Sequence, residues 1–135
     1  MKFEEYIVRG DVRKGEIDSQ KAAAMIKMSE RSLATAAQIE MNDTTSSIVF
    51  TISYDALREI LEAICLMQGY KVYSHEAYTA YLEFLHEDKI AVQFDRLRKL
   101  RNRVNYYGNP VLTEVAKSAK EQCKQLCNEL KEKYI

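Results

Sequence analysis

The stretch RLRKLRNRVNYYGNP, residues 96 to 110, carries five cationic side chains and a pair of tyrosines ahead of the chain's only proline. Guanidinium forks match the oxygens of a phosphate, and aromatic rings stack on unpaired bases. The chemistry on offer is therefore the binding of RNA or nucleotide phosphates. Residues 94 to 107 set Arg96, Arg98, Lys99, Arg101 and Arg103 against Asp95 alone, a local charge of +4 in a chain of zero formal net charge. Acid lies upstream in Glu76, Glu83, Glu87 and Asp88, which predicts a polarised surface. Any nucleic-acid role rests on this local charge.

On a helical projection, Phe94, Leu97, Leu100, Val104 and Tyr107 share an apolar arc. Arg101 falls inside that arc, between Phe94 and Leu97, with Arg98 and Asn105 beside it, whereas Arg96, Lys99 and Arg103 point to solvent. A guanidinium cannot shed its charge. On an inner face it must find an anion, bury its stem while its head reaches water, or line a cleft. An ion pair across the protein and a phosphate cradle of Arg98, Arg101 and Asn105 are both open. Tyr106 and Tyr107 either flank that cradle or seal the helix end as core residues.

Other chemistry is sparse. His75 and His86 read as capping or surface residues at the two ends of one helix, and Asp55 projects with Glu59 and Glu62 onto a solvated face. Cys65, Cys123 and Cys127 form no C-x-x-C pair, and the last two sit one turn apart on an apolar stripe, so they read as buried thiols. The carboxylates Glu83, Glu87 and Asp88 lack an E-x-x-H pattern. No metal or cofactor is expected.

The elements that must position these groups are helical. The chain has 135 residues, no Trp, few Gly and one Pro, and strong helix formers dominate; that length fits one domain. Residues 1–17 have no sustained period and read as a strand-like or irregular lead-in to a single helical domain over 18–135. A first helix is predicted from Asp18 or Ser19 to about Met41, its small-residue face interrupted by Ser29. A second, the most buried, spans Ile48 to Met67, and a third starts near Ser74. The fourth runs from about Ile90 to Tyr106, ended by Gly108 and Pro110, and the last carries Val115, Ala116, Ala119, Cys123, Leu126, Cys127 and Leu130. This predicts an all-α, up-and-down bundle of four to five helices. The apolar stretches are shorter than the ~18 to 20 residues of a membrane span, and the first residues lack a signal peptide's apolar core. A cytoplasmic, reduced protein with no membrane partner is expected.

The segment RNRVNYYG, Arg101 to Gly108, resembles the R-N-x-x-x-H element of HEPN domains, near the end of the penultimate long helix of a small up-down bundle. The resemblance extends over residues 18 to 134, including SYDAL at 53 to 57 and QGY followed by His75. It implies a homodimer in which two such motifs face a cleft, as in metal-independent endoribonucleases of toxin–antitoxin or defence type. Arg101 would contact the scissile phosphate and Asn102 would fill the polar position after it. Asp55 would be the acidic companion.

Tyr106 stands where the histidine of that motif belongs. A phenol is ionised in only about one molecule per thousand at pH 7, so Tyr106 is a poor base even beside arginines. It remains a good hydrogen-bond donor to a phosphate oxygen. Binding survives this substitution better than catalysis does. Some members of the family pair with a minimal nucleotidyltransferase that modifies a tyrosine two positions past the histidine; that position here is Gly108, with Tyr107 one residue short. Two expectations follow: RNA binding through Arg98, Arg101, Asn102, Asn105 and Tyr107, with slow cleavage using Arg101 and Tyr106, or a non-catalytic module that pairs with itself or a nucleotidyltransferase and uses Arg101 as a structural ion pair.

Overall fold

In the computed structural model, which describes residues 1–135, the chain runs α1 (Phe3–Arg9), β1 (Val12–Lys14), α2 (Ser19–Gln38), α3 (Ser46–Met67), β2 (Tyr70–Val72), α4 (His75–Phe84), α5 (Asp88–Tyr107) and α6 (Thr113–Tyr134). The result is an all-α bundle. Its five long helices, α2 to α6, stand where periodicity and caps place them, and a short helix and a two-stranded ribbon are added. No helix is long and apolar enough to cross a membrane.

Helix α3 is the centre because it is apolar nearly all round. Val49, Phe50, Tyr54, Leu57, Ile60, Leu61 and Ile64 are all fully or almost fully buried, and such a helix must be covered on every side. Helix α2 covers one side, α6 another, and α5, with α4 packed against it, a third. The α2 seam is made of small residues: Ala22, Ser29 and Ala36 are buried, and Ser29 Oγ donates to the Ala56 carbonyl at 2.7 Å. Ser29 does not interrupt this face; it is a polar stitch within it. Opposite it, Glu59 is also buried, accepting from Ser32 Oγ at 2.8 Å. The expectation of a solvated Asp55–Glu59–Glu62 face is therefore corrected at Glu59, which α2 covers, while Asp55 and Glu62 remain partly exposed.

The lead-in is corrected as well. Residues 3–9 form α1, whose Phe3 and Tyr6 enter the core. The Phe3 ring lies 5.0 Å from those of both Tyr70 and Tyr81. Strand β1 pairs antiparallel with β2, with Val12 opposite Val72. This brings the backbones so close at Gly69 that a Cβ there would sit 2.6 Å from the Gly15 carbonyl oxygen, and Gly69 also holds φ +86. Seven residues are too few to display a helical period, which is why α1 is not legible in the sequence.

The site's position is set by what ends α5. Gly108 adopts φ 63, a left-handed conformation, and Pro110 follows. The turn is then pinned to the start of α3: Ser46 Oγ donates to the Val111 carbonyl at 2.6 Å, and the Val111 N–H donates to Ser47 Oγ at 2.9 Å. At the other end of the same pair, Lys133 Nζ and Tyr134 Oη on α6 donate to Glu87, the residue capping α5, at 3.1 and 3.0 Å. Helices α5 and α6 are thus tied at both ends and separated between them.

Candidate functional site

Helix α5 buries Ile90, Ala91, Phe94 and Leu97, and one turn beyond Leu97 the same inner face presents Arg101. Its side chain is 18% exposed, and Nη2 stands 3.6 Å from Asp55 Oδ1 on α3. Its Cζ lies 5.6 Å from the centre of the Tyr54 ring. Its Nε is buried with no hydrogen-bond partner. The sequence left open whether this arginine was paired. It is paired loosely, on one edge of its fork.

Arg98, one turn earlier, differs. Its Nε and Nη2 both donate to Asp95 Oδ1, at 3.0 and 2.8 Å. Thr79 Oγ1 donates to the same oxygen at 3.0 Å, and Lys99 Nζ lies 3.0 Å from Asp95 Oδ2. Burial pushes the Asp95 carboxyl up, but the hydrogen bonds from Arg98 and Lys99 outweigh it and hold the group below the usual carboxylate range. Asp95, already counted against the five cations, is shared by Arg98 and Lys99, so the stretch keeps its +4 and the only carboxylate brought to it from another helix is Asp55. Asn102 is half-buried, and Asn105, Arg96 and Arg103 are exposed.

Tyr106 and Tyr107 are 78% and 75% exposed, so neither seals the core. Tyr107 projected onto the apolar arc, but the bundle ends before reaching it. Helix α5 stays regular through Tyr107, and five residues along a regular helix turn the chain by about 140°. The structure therefore does not bring Tyr106 to Arg101 within the chain. It does bring Arg101, Asp55 and Tyr54 together, with Arg98 at the edge.

The floor of this site is what the sequence did not disclose. Tyr54 is fully buried, stacked on Phe94 at 5.8 Å, and its hydroxyl meets His75 Nδ1 at 3.1 Å. Burial raises the Tyr54 pKa well above the ordinary phenol value, with Arg101 and Arg58 opposing, so its hydroxyl keeps its proton. His75, the first residue of α4, is exposed. Partial desolvation is the main cause that lowers its pKa from the ordinary imidazole value; Arg58 and Arg101 add to this and Asp55 opposes it. The imidazole is neutral at pH 7. One signal was available: a tyrosine in the most apolar helix needs a partner for its hydroxyl.

The remaining candidates carry less. All three cysteines are buried, and burial raises the Cys127 thiol to about 12. No group of three His, Cys, Asp or Glu side chains is placed to hold a metal ion. An open groove of about 1160 Å³ between α5 and α6 does not include Arg101. Its floor contains Leu97, Leu100, Ala119 and Leu126. Size alone would select this groove; the charge and the unsatisfied donor select the Arg101 cluster. Set against protein-family models, curated proteins and solved structures, the chain matches none.

Proposed function

We propose that this chain is an RNA-binding protein of HEPN type that seats a phosphate at Arg101. The supporting observation is Arg101 on the inner face of α5, held only by one carboxylate at 3.6 Å and an aromatic ring. Its Nε is closed to solvent, so a phosphate would be held by the outward nitrogens of the fork, which this loose pairing leaves underused. Asn102 and Asn105 supply neutral donors on the same side, and Arg98, held by Asp95, shapes the edge. Tyr106 and Tyr107 offer exposed rings to unpaired bases, worth roughly 1–3 kcal/mol per stacked base. Any contact between Tyr106 and an Arg101 is made across a dimer.

The test is fluorescence anisotropy of a labelled single-stranded RNA with the parent, Arg101→Ala and Arg101→Lys. Two charge-assisted hydrogen bonds are worth enough for Arg101→Ala to weaken binding by about 10- to 100-fold. Lysine, a point charge without the fork, recovers only part. Unchanged affinity in Arg101→Ala would rule the reading out.

A second reading, the non-catalytic pairing module, draws on the α5–α6 groove. Its apolar floor is flanked by Lys89 and Arg96 on α5 and by Glu121 and Glu129 on α6. These opposite signs suit a second copy of the chain, with α5 of each protomer laid along α6 of the other. Charge reversal at both Glu121 and Glu129 would then turn a dimer into a monomer in sedimentation.

A further inference from the structure

We infer that the β1–β2 ribbon is a second contact region for the RNA strand, in which Arg13 and Lys71 hold phosphates and Tyr73 stacks on an unpaired base. This rests on the RNA-binding reading above and extends the bound strand beyond Arg101, to a face built from β1 and the connection between α3 and α4.

The ribbon sets two cations against each other. Strand pairing places Arg13 directly opposite Lys71, next to the pair Val12 and Val72. Val12 is buried, so the alternation of side chains along a strand puts Arg13 and Lys71 on the outer face, and both are exposed. Like charges directly opposite repel, and neither residue has a carboxylate partner in the chain. The acid at the ribbon's end, Asp11, is already occupied: Arg9 donates to its Oδ2 through Nε at 2.7 Å and through Nη2. The register cannot slide to relieve the repulsion. A one-residue slip would turn Val12 out and drive Arg13 into the core, and the Gly15 N–H donates to the Gly69 carbonyl at 2.7 Å, where only glycine fits at position 69. The fold therefore holds two positive charges together, their Cβ atoms about 5 Å apart, and an anion seated between them removes the repulsion.

Tyr73 completes this face. It stands two residues on from Lys71, on the same side of the strand; it is 58% exposed, and Lys71 Nζ lies 5.9 Å from its ring centre. Its N–H donates to the Asp11 carbonyl at 2.8 Å, which fixes the backbone that carries the ring. Fixed cations beside an exposed ring suit single-stranded RNA, whose phosphates take the charges while a base stacks on the ring. An acidic peptide would use the charges and leave the ring idle. The connection to Arg101 is short along the chain. Ser74 and His75 follow Tyr73, and the exposed His75 meets the hydroxyl of Tyr54, beside whose ring the Arg101 guanidinium lies. No single nucleotide has to touch both places; one strand of several nucleotides runs over the ribbon and the Arg101 cluster in succession.

The experiment is fluorescence anisotropy of a labelled single-stranded RNA of about 12 nucleotides, and of labelled poly-glutamate, with the parent, the double variant Arg13→Gln and Lys71→Gln, Tyr73→Ala, Tyr73→Phe and Arg101→Ala. The double variant should bind RNA about 5- to 20-fold more weakly at low salt, with a salt slope smaller by about 1 to 1.5, the share of two phosphate contacts. It should unfold in urea no earlier than the parent, because it removes a repulsion, and this separates binding from folding. Tyr73→Ala should lose about 5- to 100-fold in RNA affinity, the worth of one stacked base, while Tyr73→Phe keeps it. Poly-glutamate should bind more weakly than RNA and be indifferent to Tyr73→Ala. Parent-like RNA binding by the double variant and by Tyr73→Ala, with Arg101→Ala weakened, would overturn the ribbon inference and leave the Arg101 reading standing; so would ribbon changes that weaken poly-glutamate alone, which would make the face a site for an acidic protein. The reverse pattern, weak binding in the ribbon variants and parent-like binding in Arg101→Ala, would overturn the Arg101 reading alone. A parent that binds no RNA would overturn both.

Discussion

Arg98 and Arg101 lie one turn apart on α5, and their surroundings are opposites. Around Arg98, a carboxylate receives two guanidinium hydrogen bonds, a threonine hydroxyl and a lysine. Around Arg101 there is one carboxylate at 3.6 Å, an aromatic face and a buried nitrogen with nothing to bond. The first cluster is complete as it stands and belongs to the fold. The second is incomplete, and incompleteness in a part-buried cation is what an anion site requires before its ligand arrives. Counting positive charges along the helix does not separate these cases; asking which donors are already satisfied does.

The deepest break in the comparison is removal of the ring beneath Arg101. Tyr54→Ala should destabilise the protein by about 3–5 kcal/mol in urea unfolding, the cost of deleting a buried aromatic side chain, whereas Tyr54→Phe keeps the packing and should cost about 1 kcal/mol. Next comes Arg101→Ala, whose effect should fall on RNA affinity rather than stability. Its ion pair is long and partly solvated, so its unfolding free energy should shift by no more than about 1 kcal/mol. A third change sharpens the contrast from the other side. Asp95→Asn should cost about 1 kcal/mol of stability and strengthen RNA binding, because it frees Arg98 from its internal partner.

Acid should act on both clusters with the same sign. His75 and Asp95 each have folded pKa values below their ordinary ones, so the unfolded chain takes up protons first as pH falls. Each contributes stability that is present above its ordinary pKa and lost as pH drops through its lower folded value. Urea unfolding against pH should therefore decline in two stages, the first below the imidazole range and absent in His75→Gln, the second below the carboxylate range and absent in Asp95→Asn. The smallest effect belongs to the tip of α5. Tyr106→Ala should change stability by less than about 0.5 kcal/mol, since the side chain is exposed.

The parts of the fold legible in the sequence were those set by neighbours along the chain. The Asp18 side chain does accept from the Lys21 N–H and open α2, Ser74 precedes α4, and Gly108 closes α5 with positive φ. The all-round apolarity of α3 marks it as the central helix from its residues alone. Arg101 was also legible, because a charge placed between Phe94 and Leu97 on one helical face conflicts with its surroundings.

What was hidden depended on elements far apart in the chain. Glu59 looked solvated until α2 covered it, and Asp55, which the helical projection put on a solvated face and the resemblance put beside the motif, is met by Arg101 from α5. His75 looked like a cap because its tie to Tyr54 crosses from α4 to α3. Tyr107 shared the apolar arc of α5, yet the bundle stops short of it. A helical projection gives direction but not the depth of the protein at that point.

The most direct test is the salt dependence of RNA binding by the parent, Arg98→Ala and Arg101→Ala, taken together with their urea unfolding. If Arg101 seats a phosphate, its loss weakens binding by about 10- to 100-fold, reduces the salt slope by about one and leaves unfolding within about 1 kcal/mol of the parent, while Arg98→Ala keeps most of its affinity. If instead Arg101→Ala binds RNA as the parent does and loses about 3–5 kcal/mol of stability, Arg101 is a structural ion pair and no phosphate is seated there.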